Sequence, residues 1–169
     1  LAASKILKGP EETPNVSKLQ ILDDLENALY CAKVCSYAQG ISLIKAASDA
    51  NGWNVDLSQC VKMWKGGCII RAKLLDKIQS AFQNDPSLLN LMVDPEFADE
   101  LNKAQLSWRR IVTLCVASGI ACPALSASLN YFDSYRREML PANLTQAQRD
   151  FFGGHTYERI DKEGPFHCV

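Results

Sequence analysis

The fold is decided by the stretch KLQILDDLENALYCAKVCSYAQGISLIKAASDANG, residues 18–52. Apolar residues recur in it at three- and four-residue spacing: Leu22, Leu25, Leu29, Ala32 and Cys35. This period predicts one long helix. Further apolar positions widen its surface, namely Ala28, Ala38, Ile41 and Ile44. We therefore expect the helix to be central in the fold and buried on several sides.

Both ends of this helix carry recognisable signals. Ser17 and Gln20 have the spacing of a capping box, in which each side chain satisfies a free backbone N–H. Asn51-Gly52 is typical of a left-handed cap at a helix C-terminus.

Helix signals continue along most of the chain. Asp56 and Gln59 predict the start of a short helix that Gly66-Gly67 ends, and the next helix is predicted from Ile69 to Phe82. Its expected inner stripe is Ile70, Leu74, Ile78 and Phe82.

Asp85-Pro86 and Asp94-Pro95 each combine an acidic cap with a proline in the first turn and predict two more helix starts. The helix after Asp94 carries an apolar series and stops at Gly119; the series is Phe97, Leu101, Leu106, Trp108, Ile111, Val112 and Cys115. Pro123 begins the following helix. The last helix is expected to be capped by Asn143 and Gln146 and to end at Gly153-Gly154.

No strand run and no periodic pattern is found from Thr156 to Val169. The predicted class is therefore all-α: a multi-helix domain over residues 1–155 with one long central buried helix. An irregular C-terminal tail, residues 156–169, follows it. Such a tail cannot form a core alone, so it is either docked on a partner subunit or disordered, and docking is the preferred interpretation.

Length and composition limit the class further. The 169 residues, 47% of them hydrophobic, suit one compact domain that needs neither disulfides nor a metal ion. No apolar run approaches the ~20 residues that cross a bilayer, so no membrane partner is predicted. Since the first residue is Leu1 and not Met, we expect a fragment of a larger protein.

The charges and cysteines exclude other classes. A net charge of -1 argues against a nucleic-acid partner held by a general basic field. The seven cysteines are an odd number scattered among apolar neighbours, which favours buried, reduced thiols in an intracellular protein over a disulfide framework. No His or Cys spacing completes a zinc site, so no metal is predicted. Six of the seven arginines follow residue 100, which makes the last third the place to look for a bound anion.

One segment looks like a binding site: AQRDFFGGHTYE, residues 147–158. Arg149 lies about one turn before the predicted helix end, and the glycine pair permits a sharp turn that brings His155 beside it. Two donors without a counter-charge make an anion pocket. The alternative is that Arg149 only caps the last carbonyls and His155 is an ordinary loop residue.

A second candidate is Gly66-Gly67 with Lys65, because a helix start at Ile69 would offer backbone N–H groups to an anion. A plain tight turn between packed helices explains the same residues. The tryptophans are expected in the core: Trp53, Trp64 and Trp108. A nucleotide-binding glycine fingerprint and a nucleophile elbow are both absent from the sequence, so no coenzyme-binding or catalytic residue is assigned in this chain.

Several segments together resemble one family. They are SYAQG (36–40), WKGGCIIR (64–71), SWRR (107–110), YFDSYRR (131–137), LPANL (140–144) and QAQRDFFGGHTYE (146–158). In combination they are similar to the C-terminal helical domain of decarboxylating 6-phosphogluconate dehydrogenase, and the resemblance runs from about Leu22 to Glu158.

The resemblance implies an NADP-dependent oxidoreductase of the pentose phosphate pathway. It would convert 6-phosphogluconate to ribulose 5-phosphate, CO₂ and NADPH. In that family the Rossmann domain, the catalytic residues and the NADP site precede the helical domain. The family's phosphate-binding arginine and histidine reach across a homodimer, and they correspond to Arg149 and His155.

Two departures from the family are visible. Phe151 stands where many members have Tyr, and Gly154 where many have Ala. Neither change removes a phosphate donor, but we expect Gly154 to make the loop costlier to order.

We therefore interpret the chain as a part of the dehydrogenase that forms the dimer and contributes to phosphate binding. Alone it is predicted to be inactive. The predicted compartment is the cytoplasm, and a plastid is not excluded. The alternative is a stand-alone helical interaction module without catalysis.

Overall fold

The computed structural model describes residues 2–12, 14–70 and 72–168. Over these residues the helices are α1 (Ala3–Ile6), α2 (Lys18–Asn51), α3 (Leu57–Trp64), α4 (Leu74–Asn84), the 3-10 helix Leu91–Val93, α5 (Pro95–Ala117), α6 (Pro123–Tyr135) and α7 (Ala142–Gly153). Two short strands follow, β1 (Tyr157–Glu158) and β2 (Pro165–Phe166). The all-α prediction is confirmed. Arg71, the last residue of the WKGGCIIR motif, lies outside the described residues, as do Leu1, Thr13 and Val169.

The chain divides into two compact units, Leu1–Tyr131 and Phe132–Val169. In the first unit α2 packs along α5 and against the 3-10 helix, and α3 packs against α4. The boundary at Tyr131 falls within α6, well before residue 155. The last helix and the tail therefore belong to the same unit.

The long helix α2 is confirmed, and its predicted apolar surface is buried in part. Leu22 and Leu29 are 52% and 56% exposed, whereas the buried apolar residues of α2 are Ala28, Cys31, Val34, Cys35, Ala38 and Ile41. Cys35, Ala28, Ala38 and Ile41 are thus buried as predicted, and the error concerns Leu22 and Leu29. The buried stripe of α2 is made of mostly small side chains, which lets this helix lie close to the large buried side chains of α5, Phe97, Leu101 and Trp108.

A buried carboxylate in α2 replaces the predicted capping box. Ser17 is the N-cap residue, but its side chain makes no capping hydrogen bond. Gln20 donates instead to Asp24, which also accepts hydrogen bonds of 2.7 and 2.5 Å from the Arg110 guanidinium of α5. The Arg110 hydrogen bonds hold the pKa of the Asp24 carboxyl well below its usual range. Polar contacts thus join α2 to α5 where leucines had been expected.

Two predicted helix starts are wrong. The helix expected from Ile69 begins only at Leu74. Ile69 and Ile70 are exposed turn residues, so neither anchors a helix start on the core. Asp85-Pro86 begins no helix. The Asp85 carboxylate accepts hydrogen bonds from the backbone and hydroxyl of Ser87 and closes a local turn.

Other end signals are confirmed. Asp56 and Asp94 each accept backbone N–H groups of the following turn, and Gly52 ends α2 with φ 65 in the left-handed region. Of the tryptophans, Trp108 is fully buried and donates from Nε1 to the Leu125 carbonyl, but Trp53 is 63% exposed and lies outside the core. Trp64 is half-buried beside Tyr37.

All seven cysteines are free thiols, but they are not all buried. Cys31 and Cys35 lie fully buried in α2, and burial raises the pKa of their thiols to about 11 and about 12. Cys68 and Cys168 are exposed. Within residues 2–12, 14–70 and 72–168, no group of three or more metal-ligating side chains occurs, and no helix is long and apolar enough to span a bilayer.

Candidate functional site

The predicted anion-binding segment lies at the end of α7. The helix begins after Pro141 without a side-chain capping bond, so the predicted capping by Asn143 and Gln146 is wrong. It ends as expected at the glycine pair: Gly154 has φ 62, and its N–H donates to the Asp150 carbonyl over 2.8 Å. Glycine adopts this left-handed conformation without steric strain, whereas an alanine there would be strained. The cost that Gly154 adds to ordering the loop stays a prediction.

Gln146 serves the site and not the helix start. Its Nε2 donates to the Thr156 carbonyl over 2.7 Å, while its Oε1 accepts from Arg149 Nη1 over 2.9 Å. One side chain thus links the predicted arginine to the residue that follows the predicted histidine.

His155 stands exposed immediately after the glycine turn. Its ring folds back over Gly153, so that a β-carbon placed on Gly153 would lie 3.4 Å from His155 Nε2. The hydroxyl of Thr156 donates to the His155 carbonyl. The imidazole edge is therefore held near the helix end and open to solvent.

Asp150 is the buried centre of this segment. Its Oδ1 accepts the backbone N–H of Thr156 over 2.7 Å and lies 2.8 Å from His167 Nδ1, and its Oδ2 accepts the N–H of Cys168 over 2.8 Å. These hydrogen bonds, that from Cys168 first, lower the pKa of the Asp150 carboxyl. The carboxylate connects α7, the turn after it and the end of the chain.

The tail is not wholly irregular. β1 and β2 pair antiparallel, with Tyr157 opposite Phe166 and Glu158 opposite Pro165. The expectation of no strand is wrong here because each strand has only two residues, too short for an alternating pattern to register. Pairing returns His167 and Cys168 to Asp150.

The electrostatics of the site suit an anion. In the described part of the chain, Arg149 contacts the neutral Gln146 side chain, and neither Arg149 nor His155 pairs with a carboxylate. Other arginines differ in this respect. Arg110, Arg136 and Arg159 are paired with Asp24, Asp133 and Asp161. The alternative in which Arg149 caps the last carbonyls of α7 is not what its described contact shows.

The second candidate anion site lacks its helix. Gly67 has φ 110, but the residues after it do not begin a helix until Leu74, and Lys65 is paired with Asp76. These residues form a turn between α3 and α4, the plain alternative.

Comparison with known proteins identifies the domain. Residues 1–169 match the family described as 6-phosphogluconate dehydrogenase, C-terminal domain. The chain belongs to this family.

Similar proteins include two plant enzymes and one solved structure from Plasmodium falciparum. The chain is 59% identical over 152 residues to 6-phosphogluconate dehydrogenase, decarboxylating 2 of Arabidopsis thaliana, covering 90% of this chain and 31% of that protein. It is 52% identical over 172 residues to a chloroplastic 6-phosphogluconate dehydrogenase of Spinacia oleracea, covering 98% and 32%. A solved structure of Plasmodium falciparum 6-phosphogluconate dehydrogenase, studied apo, with NADP+ and with 6-phosphogluconate, superposes with a TM-score of 0.91 at 43% identity, over 99% of this chain and 36% of that one. The chain thus spans about a third of the length of these relatives.

Three residues of this 6-phosphogluconate dehydrogenase domain were missed as parts of the site: Gln146, Asp150 and His167. Gln146 and Asp150 are four residues apart and lie on the same face of α7, a spacing that could have grouped them. His167 had no such signal, because its approach to Asp150 depends on the two-residue strands.

Proposed function

We propose that the protein carrying this chain is an NADP-dependent, decarboxylating 6-phosphogluconate dehydrogenase, and that this chain supplies Arg149 and His155 to the phosphate of 6-phosphogluconate held mainly by the partner subunit of a homodimer. The observation that carries the proposal is the pair itself: an arginine and a histidine, both exposed and unpaired with carboxylates in the described chain, held on one turn of a motif that matches the family.

The chemistry of these two side chains suits a phosphate ester. A guanidinium offers a planar fork of N–H donors to two phosphate oxygens, and an imidazole N–H adds one more. Arg149 keeps N–H donors for a ligand, because Gln146 accepts from only one of its nitrogens. The role of this chain is to bind and orient the phosphate, and no bond-breaking step is assigned to its residues.

The coenzyme is assigned to other parts of the enzyme. The chemistry that NADP would supply, when bound, is that of an acceptor for a hydride from the sugar acid. Over residues 2–12, 14–70 and 72–168 the strands are β1 and β2 only, so these residues do not form the strand–glycine loop–helix unit that holds a dinucleotide. The residues present here therefore do not fit a coenzyme site.

Exposed apolar side chains beside the site support a partner subunit. Phe151 and Phe152 stand edge to face next to Arg149 and are mostly exposed, and Ile160 of the tail is exposed as well. Large apolar groups clustered at a surface are typical of an interface. We propose that the tail, residues 156–169, and the end of α7 meet the partner there, and that the compartment is the cytoplasm.

The test is dehydrogenase activity. The full-length protein should form NADPH from 6-phosphogluconate and NADP with release of CO₂, and the isolated 169-residue chain should form none. Absence of NADPH formation by the full-length protein would contradict the proposed reaction, and activity of the isolated chain would contradict the assignment of the coenzyme site elsewhere. Sizing by light scattering tests the homodimer.

A further inference from the structure

The strained backbone of Thr156 needs an explanation. Its φ of 59 lies in the left-handed region, which β-branched residues rarely adopt. Two side chains of α7 hold this residue by hydrogen bonds to its backbone N–H and its carbonyl. Asp150 accepts its N–H, and Gln146 donates to its carbonyl. Because His155 is the preceding residue, the direction of its imidazole depends on this clamp.

Asp150 also holds the end of the tail. Its side chain is completely buried, although it is ionised at neutral pH, and a carboxylate only accepts hydrogen bonds. His167 Nδ1 therefore carries the proton in the 2.8 Å contact and donates to Oδ1, while the Cys168 N–H donates to Oδ2. The His167 ring lies beside the glycine turn, since a β-carbon on Gly154 would be 3.9 Å from its Cε1.

We infer that Asp150 is a positioning residue for substrate binding: its carboxylate ties the tail residues His167 and Cys168 to the turn that carries His155, so that affinity for the substrate phosphate depends on attachment of the tail. The inference rests on the proposed function of Arg149 and His155. Asp150 itself touches no substrate, because it is enclosed by its own hydrogen-bond donors.

Asp150→Asn in the full-length enzyme is the first test. Asparagine has nearly the same shape but only one acceptor oxygen, so its NH₂ must face Thr156 and His167 or face Cys168, where it opposes a donor. We expect the KM for 6-phosphogluconate to rise about tenfold. The kcat and the KM for NADP should stay within about twofold, since Asp150 acts through phosphate binding. The matched control is Asp99→Asn, an exposed carboxylate of α5 paired with Lys103, which should leave all three constants unchanged.

His167 provides a test that keeps Asp150 intact. His167→Ala removes one donor and should raise the KM for 6-phosphogluconate, whereas His167→Asn places an amide N–H near the position of Nδ1 and should restore most of the affinity. The double variant Asp150→Asn with His167→Ala should bind 6-phosphogluconate no worse than Asp150→Asn alone, because both changes break the same attachment of the tail to Asp150. If Asp150→Asn fails to fold, the comparison of His167→Ala with His167→Asn still tests the inference.

The outcomes separate the inference from the proposed function. Arg149→Ala and His155→Ala serve as references: if they raise the KM for 6-phosphogluconate and folded Asp150→Asn does not, the inference is wrong and the proposed function stands. A fall in kcat together with a similar rise in both KM values would also overturn the inference, since such changes indicate general damage to the enzyme. If Arg149→Ala and His155→Ala leave that KM unchanged, the proposed phosphate role itself fails. Faster hydrogen exchange of the Thr156 amide in Asp150→Asn is the expected structural signature.

Discussion

Gln146 donates a hydrogen bond from Nε2 to the carbonyl oxygen of Thr156 over 2.7 Å, while its Oε1 receives Arg149. The two residues are ten positions apart, and their bond joins the exposed face of α7 to the turn after it. It also fixes Arg149 and the His155–Thr156 segment relative to one another.

Gln146→Ala should therefore weaken phosphate binding without removing a phosphate donor. The variant loses the hydrogen bond to the Thr156 carbonyl and the acceptor of Arg149 Nη1. The loss of the neutral bond to Thr156, at about 1 kcal/mol, by itself predicts a rise of about fivefold in the KM for 6-phosphogluconate of the full-length enzyme. Gln148→Ala, at an exposed position on the same helix, is the control and should change nothing. Equal kinetics for the two variants would show that the bridge does not support the site.

The helix series and its end signals could be predicted from sequence because they are local. Asp56, Asp94 and Gly52 act on their own or adjacent turns, and a short-range pattern encodes them. The exposure of Leu22 and Leu29 in α2 could not be predicted in this way. The buried side of α2 packs on α5 and contains small residues and the Asp24 carboxylate, whereas Leu22 and Leu29 are exposed.

The candidate site divides along the same line. Arg149, His155 and the glycine turn lie within seven residues and were predictable from their order and from the family motif. Asp150 lies in the same motif, but its role could not be predicted, since that role depends on His167 and Cys168, which approach it only through strand pairing. Tertiary contacts of this kind leave no period in a sequence.

The Asp24–Arg110 pair predicts an asymmetric mutational effect. Asp24 is buried and Arg110 is half-exposed. Removing the arginine leaves an unpaired carboxylate inside the protein, whereas removing the carboxylate leaves a guanidinium that water can solvate. Arg110→Met should lower the melting temperature more than Asp24→Asn. Thermal unfolding followed by circular dichroism measures both, and the reverse order would contradict the assignment.

The same pair predicts a pH dependence. Because the folded pKa of Asp24 lies below its ordinary value of 3.8, the pair stabilises the fold above that value, and this stabilisation is lost as pH falls through the folded pKa. The difference in melting temperature between wild type and Asp24→Asn should be largest near neutral pH and shrink in acid below pH 4. A difference that grew on acidification would have the wrong sign.

The packing of α5 predicts different costs for two leucines of one helix. Leu101 is 1% exposed and Leu106 is 63% exposed. Leu101→Ala should reduce the free energy of unfolding by about 2–5 kcal/mol, because it leaves a cavity in the core. Leu106→Ala in the isolated chain should stay within about 0.5 kcal/mol. Urea denaturation compares the two variants, and similar losses would mean that the assigned core side of α5 is wrong.

The cysteines should differ in reactivity with their burial. Cys31 and Cys35 are buried with pKa values raised to about 11 and about 12, so few thiolates form at pH 8, whereas Cys68 and Cys168 are exposed. Brief alkylation of the native protein, read by peptide mass spectrometry, should label Cys68 and Cys168 and spare Cys31 and Cys35. Labelling of Cys31 or Cys35 at the same rate as in urea would contradict their burial.

In the proposed function, Arg149 of this domain binds the phosphate of 6-phosphogluconate. The most direct measurement is the KM for 6-phosphogluconate of full-length Arg149→Ala beside wild type, with the KM for NADP measured on the same preparations. Loss of a charge-assisted bond at about 1.5–3 kcal/mol predicts a rise of about tenfold or more in the first constant. The second constant should not change. An unchanged KM for 6-phosphogluconate would contradict the claim and reduce Arg149 to a surface residue of α7.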